Sequence, residues 1–432
     1  MLAESVRSAT HTLVSRTSAT VPFDPFALFA QAKHQHRVLW LRPSSEEAMV
    51  GLGVAYEVST DTDAGRFAIA NHAWSALLED ATIDDPARLL WTGPLLFGGF
   101  RFDAARPSTA MWSDFAVDRL VLPERVYVQR GRTAWLTTNH VSGSGPSRRR
   151  QVTLPPAERG LPARSWQSLV GSVARGIRRG DIGLDKVVLA RTQAVRSQKA
   201  FEPASILERL ATAYPTCTVF GLGRGEATFV AATPERLVSV CAGLATTMAL
   251  AGSAARGRTD AEDLALGRAL LSDAKERSEH DFVVQALRAG LAEVSSRVIA
   301  DAEPRLRKLA NLQHLLTPVH GKLSPGRGIL EVVQRLHPTP AVGGVPTEPA
   351  LALIREREDL DRGWYGGPIG WLNRAGEGEF VVGIRSALLR GREATLFTGC
   401  GIVADSVPST ELAESNWKLR PMLSALGVSD AA

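Results

Sequence analysis

Apolar and polar positions alternate in short runs along much of this chain, and such runs predict strands. Arg125-Val-Tyr-Val-Gln-Arg130 and Ala134-Trp-Leu-Thr-Thr138 alternate like antiparallel strands. Further on, the pattern predicts a helix over residues 166–179 and an apolar strand over 186–191. Strands are predicted at 218–222, 227–232, 237–241 and 246–250. A long helix over 260–294 follows, with Thr259 and Glu262 spaced as a capping box at its start. Late strands are expected at 369–372, 379–386 and 394–398, and a final helix over 410–426. The chain has no internal repeat. The mixture predicts α+β or α/β layers with mostly antiparallel sheet.

Composition narrows the class. Apolar residues make up 44% of the 432 residues and charged residues 22%, which excludes a disordered chain, collagen and a coiled coil. Fifty Lys and Arg against 45 Asp and Glu leave a net charge of +5. The excess is spread out apart from Arg148, Arg149 and Arg150, so there is no basic stripe for nucleic acid. Cys217, Cys241 and Cys400 are far apart and form neither a disulfide framework nor a metal spacing, which fits a reducing cytoplasm. Residues 1–20 are rich in Ser and Thr, lack an apolar core of signal-peptide length, and read as a flexible tail. The uncharged stretch 237–255 approaches a membrane span in length. Its Ser, Thr and Gly residues instead predict two strands turning at Ala242-Gly243, and no transmembrane segment is expected. Residues 142–165, with four Pro, five Arg and three Gly, predict an exposed connection.

Candidate chemistry rests on carboxylates, glycines and one lysine. Glu276 and Glu279 are three apart on a predicted helix and share a face, and Glu411 and Glu414 repeat the spacing with Lys418 one turn on. Four such carboxylates suit a hard cation shared with an anionic substrate. The same spacing also describes the commoner case of a solvated helix face with a Glu414–Lys418 surface ion pair. Gly399-Cys-Gly401 and Gly343-Gly344 let backbone amides approach a carboxylate, or are simple turns. Lys186 opens an apolar strand and Glu235 precedes another. Burial would let the first act as a base and the second as an acid.

Taken in order, several strings resemble the chorismate-utilising enzymes. They are Asp185-Lys-Val-Val-Leu-Ala-Arg191, Thr233-Pro-Glu-Arg-Leu237, Leu250-Ala-Gly-Ser253 and Lys275-Glu-Arg-Ser-Glu-His280. They continue with Leu336-His-Pro-Thr-Pro-Ala-Val-Gly-Gly344, Arg362-Gly-Trp-Tyr-Gly-Gly-Pro-Ile-Gly-Trp371, Gly383-Ile-Arg-Ser-Ala387, Gly399-Cys-Gly-Ile-Val403 and Glu411-Leu-Ala-Glu-Ser-Asn-Trp-Lys418. The resemblance is strong over 165–428, and Phe97-Gly-Gly-Phe-Arg-Phe-Asp103 extends it more weakly toward the N-terminus. It implies an α+β fold of two stacked, mainly antiparallel sheets flanked by helices. That makes 21–428 one large domain, with an N-terminal portion 21–141, the connection 142–165 and a motif-bearing portion 166–428. By the same resemblance Lys186 is the general base and Glu235 the general acid. Glu279 and Glu414 are direct Mg²⁺ ligands, with Glu276 and Glu411 acting through water. Gly252, His314, Ala341, Tyr365, Arg385, Gly399, Gly401 and Lys418 are expected around chorismate.

Within the family, this chain lacks the nucleophilic Lys before the Gly of the Ala-Gly-Ser motif, having Ala251 there. It also lacks the Leu-Leu-Glu-Ser feedback motif of anthranilate synthases, and no glutaminase subunit is expected. Anthranilate and salicylate synthases place Thr where this chain has Ala341, whereas isochorismate synthases carry His-Pro-Thr-Pro-Ala, as His337 to Ala341 do here. The resemblance therefore implies a Mg²⁺-dependent isochorismate synthase; nothing in the chain reads as an obligate interface helix, so a monomer is expected, in the cytoplasm that the cysteines suggest. The alternatives are a salicylate synthase, which goes on to lose pyruvate, and a non-catalytic chorismate-binding homologue. No residue separates a menaquinone role from a siderophore one.

Overall fold

A computed structural model describes residues 11–33, 35–60, 65–143, 154–308 and 312–428. Among these residues, two sheets of 12 and 10 strands form, and their strands pair antiparallel except where Thr12–Thr20 runs parallel to Thr82–Asp84. Alternation along the strands builds three layers of core. In Arg37–Arg42, Val38 and Trp40 face the space between the sheets, where they join Phe97, Trp112, Phe229 and Trp371. Leu39 and Leu41 face the other way, toward Phe29, Leu207, Leu210 and Met422 on helices. The second sheet is covered outside by Phe67, Trp74, Val283, Leu287 and Val333, again from helices. Central strands such as Arg37–Arg42, Ala227–Thr233 and Gly378–Val382 are thus buried on both faces, whereas outer ones such as Thr133–Ser142 keep an exposed side and alternate. Strands from the N-terminal and C-terminal portions interleave in both sheets: Leu96–Gly99 pairs Pro368–Leu372, and Arg37–Arg42 pairs Thr218–Arg224.

The expected tail is corrected over part of its length. Residues Thr12–Thr20 are a strand registered along Thr133–Ser142, with Ser15 and Thr17 buried. Of its two buried hydroxyls, Thr17 meets that of Thr137 at 2.9 Å, whereas Ser15 Oγ has no partner among the described residues. Residues 1–10 lie outside the described residues. The expected connection falls partly on 144–153, also outside them, and its described end, 154–162, carries no helix and only an isolated bridge from Arg159 to Leu360.

Two other expectations change in ways that matter for the site. The long helix is two, Asp260–Ser272 and Ala274–Ala292, because Asp273 between them takes an extended conformation and caps the second by accepting from the Glu276 amide at 2.9 Å. Thr259 caps the first, accepting from the Glu262 amide at 3.3 Å, while Glu262 reaches back to Arg258 rather than to Thr259. The strand expected over 379–386 is also two. Gly378–Val382 lies in one sheet and Ser386–Arg390 in the other, and residues 383–385 make the crossing. The stretch 237–255 is the expected hairpin, with Ala242 and Gly243 both at positive φ (50° and 71°), as a tight two-residue turn requires. Among the described residues no helix is long and apolar enough to cross a membrane.

Candidate active site

One cavity of about 190 Å³ lies where strands of both sheets meet two helices, and every residue that the resemblance assigns to catalysis, metal or chorismate lines it, whereas Gly343-Gly344 does not. Lys186 begins the strand Lys186–Arg196, only 4% exposed, with its Nζ 3.6 Å from Glu279 Oε2. Gly401 lies on the neighbouring strand Glu393–Ile402, and a Cβ there would sit 2.7 Å from Lys186 Cε. Glycine at 401 is therefore what lets the lysine stem lie flat against the sheet. Gly399 has the same relation to Tyr365, whose hydroxyl would be 3.0 Å from an added Cβ. Gly252 sits at φ 77°, where the strand Leu244–Ala255 bulges against Leu312–Leu323, and this puts Ser253 directly across from His314. The Ser253 hydroxyl is 2.8 Å from His314 Nδ1, and its amide donates to Glu276 Oε2 at 2.9 Å.

The two acidic pairs reach the cavity from different helices. Asp273 starts one helix so that Glu276 and Glu279 fall on successive turns of its inner face. Pro408 starts the C-terminal helix Pro408–Ala425, with Glu411 in its first turn and Glu414 on the turn after. Lys418 Nζ bonds Glu414 Oε1 at 2.7 Å and the Gly399 carbonyl at 3.0 Å. The Glu414–Lys418 pair, readable from sequence as a surface bridge, faces the cavity instead. Arg385, at the crossing between the sheets, holds φ 53°, a left-handed conformation costly for a residue with a side chain, and donates to the Lys418 carbonyl at 3.5 Å. Ala341 reaches the cavity from the loop between His337 and Gly344.

Electrostatics separate the groups. Burial pushes the Glu235 carboxyl up to about 7, against the pull of Lys186, Lys418 and Arg385, so it is poised to hold or give a proton near neutrality. Burial, then Arg385 and Lys418, takes His314 down to about 3, leaving a neutral imidazole whose Nε2 has no hydrogen-bond partner among the described residues. Burial raises Tyr365 to about 12, so it stays a phenol. Lys418 holds Glu414 below the ordinary carboxylate range. Cys400 lies within 4.8 Å of the ligating atoms of Glu411 and Glu414. Burial raises its thiol to about 12.

Sequence reasoning missed Arg362 and Glu358. They form an i, i+4 ion pair whose side chains are 3% and 0% exposed, and Arg362 lines the cavity. Nothing in the local pattern marks them, except that Arg362 opens the Gly- and aromatic-rich segment through Trp371.

The family described as chorismate binding enzyme matches this chain over residues 1–153 and 144–427. A protein named salicylate biosynthesis isochorismate synthase, from Pseudomonas aeruginosa, is 38% identical over 96% of this chain and 90% of its own length. Isochorismate synthase MenF from Bacillus subtilis is 34% identical over 96% of this chain and 93% of its own. The solved structure of MenF, the menaquinone-specific isochorismate synthase from Escherichia coli, shares the fold with a TM-score of 0.78 at 24% identity, covering 97% of this chain and 95% of that one. With its motifs gathered on one cavity and nearly its whole length matched, the chain belongs to the chorismate-binding enzyme family.

Proposed function

We propose that this protein is an isochorismate synthase, adding water at C2 of chorismate while the C4 hydroxyl departs. The observation that carries the reading is that Lys186 and Glu235 line the same cavity, with Glu235 pushed by burial up to about 7. In this reading Lys186 takes a proton from the attacking water as the oxygen–C2 bond forms. The two ring double bonds shift by one position each. Glu235 protonates the C4 oxygen, which leaves as water, so one water enters and one departs. Reversal exchanges the two roles.

Chorismate carries two carboxylates. Arg385, Lys418 and the Tyr365 hydroxyl supply cations and a donor for one, with the glycine backbone at 399 and 401 allowing close approach. The Mg²⁺ expected from the resemblance fits the residues present. The donors at the acidic end are hard carboxylate oxygens, and two helices bring all four, Glu276, Glu279, Glu411 and Glu414, onto the one cavity. The ion would be held by Glu279 and Glu414, with Glu276 and Glu411 behind water, and would neutralise the ring carboxylate. Cys400, a thiol kept protonated and soft, is not part of that set. Water rather than ammonia is the nucleophile, so the reading calls for no glutaminase subunit. Incubation with chorismate and Mg²⁺, followed by chromatography, tests it. Isochorismate without pyruvate is expected. Salicylate with pyruvate in quantity would instead make the protein a salicylate synthase, and unchanged chorismate a non-catalytic binder.

A further inference from the structure

The strand that carries Lys186 loses its outer neighbour after two residues. Gly344–Val345 pairs with it only at Lys186 and Val187, and the Val188 amide still reaches the Gly343 carbonyl at 2.8 Å. Before Gly343 the chain turns away, with the amides of Val342 and Gly343 closing on the Thr339 carbonyl at 3.1 and 2.9 Å. That turn is what holds Ala341 on the cavity. It leaves the edge of the lysine strand bare, and bare buried backbone needs partners.

Two side chains stand in for the missing strand. Arg362 Nη2 donates to the Val188 carbonyl at 2.7 Å, and Glu358 Oε1 accepts from the Ala190 amide at 2.6 Å. A donor and an acceptor two residues apart on one edge are what a neighbouring strand would present. The remaining arm of the guanidinium, Nη1, donates to the Val342 carbonyl at 2.8 Å, and Nε holds Glu358 Oε2 at 2.8 Å. Phe102 closes the other side, its ring 4.3 Å from the guanidinium carbon. One planar group therefore ties the loop of Ala341 to the strand of Lys186. Buried ion pairs contribute little net stability compared with apolar side chains of the same volume, which favours a geometric role for this one.

We propose that Arg362, held by Glu358, is a positioning residue that sets the spacing between Lys186 and the Ala341 loop. It thereby governs both turnover and product choice. The proposal rests on the isochorismate synthase reading. Arg362→Lys keeps the charge opposite Glu358 but cannot fork to two carbonyls and a carboxylate. A double variant, Glu358→Gln with Arg362→Gln, leaves no unpaired buried charge and serves if the first does not fold. For whichever is folded, kcat should fall about 10²-fold, as for a displacement of about 1 Å, with KM much less affected. The share of salicylate plus pyruvate should rise. Hydrogen exchange read by mass spectrometry should quicken in peptides covering 186–191 and 339–345 and not in the C-terminal helix. A folded variant with wild-type kcat, product ratio and exchange overturns the proposal. So does loss of folding in both variants, which would make the pair a stability element. If the wild-type control leaves chorismate unchanged, the proposed function fails, and the exchange comparison alone decides the positioning role.

Discussion

Gly401→Ala isolates the placement of the proposed base from its chemistry. The new Cβ would stand 2.7 Å from Lys186 Cε and 3.3 Å from Nζ. Carbon atoms rest at about 3.5 Å or more, so the tip of Lys186 must move by about 0.8 Å. The obstacle is the far end of a flexible side chain rather than backbone, and Gly401 sits in an ordinary strand register opposite Val188, so the fold has little reason to resist. A displacement of about 1 Å in a catalytic group costs about 10²-fold in rate, or about 2.7 kcal/mol of barrier at about 1.36 kcal/mol per decade. Steady-state assay of isochorismate formation should therefore show kcat reduced about a hundredfold, with the melting temperature nearly unchanged. A Gly401→Ala enzyme that is as fast as wild type would refute the placement of Lys186 against the attacking water. A large fall in melting temperature would show that the sheet, not the lysine, absorbed the methyl group.

Lys186→Ala and Glu235→Gln should each lower turnover by at least about 10²-fold, the lower range for general acid–base groups, while calorimetry still detects chorismate binding. If Lys186→Ala keeps most of kcat, the base is elsewhere. Glu235 must be protonated to serve as the acid, and burial places its carboxyl at about 7. The kcat/KM profile should accordingly fall as pH rises through about 7, and that limb should vanish in the residual activity of Glu235→Gln. Replacing Glu414 by Gln should raise the Mg²⁺ concentration needed for half-maximal activity and weaken Mg²⁺ binding in calorimetry, with the circular dichroism spectrum unchanged. Wild-type behaviour at low Mg²⁺ would exclude Glu414 as a ligand. Ala341→Thr should slow isomerisation and raise the salicylate and pyruvate fraction from one chorismate stock against a no-enzyme control, and an unchanged ratio would remove Ala341 from product choice.

Local pattern was enough for strands such as those expected at 186–191, 218–222, 227–232 and 369–372 and for the hairpin at Ala242-Gly243, because period-2 burial and positive-φ turn residues are properties of a few neighbouring positions. The pairing of Glu276 with Glu279, and of Glu411 with Glu414, was equally legible, since helical spacing alone puts them on one face. Asp273 was misread for a reason of the same scale: a short acceptor that caps one helix also ends another, and the apolar period runs on across the break. Elsewhere the outcome depended on partners far along the chain. Ser15 and Thr17 look like tail residues until the strand Thr133–Ser142 supplies their burial and, for Thr17, a hydroxyl partner. Glu358 and Arg362 go unmarked until three backbone groups from distant segments close around them. Glu235 carries no mark of its tuned carboxyl, because desolvation is a property of the walls around it and not of the residue. The sequence by itself determined which residue types were available and which faces they shared. Only the tertiary structure decided which faces met, because burial, and with it charge state and reach, arises from contacts between segments that are far apart in the chain.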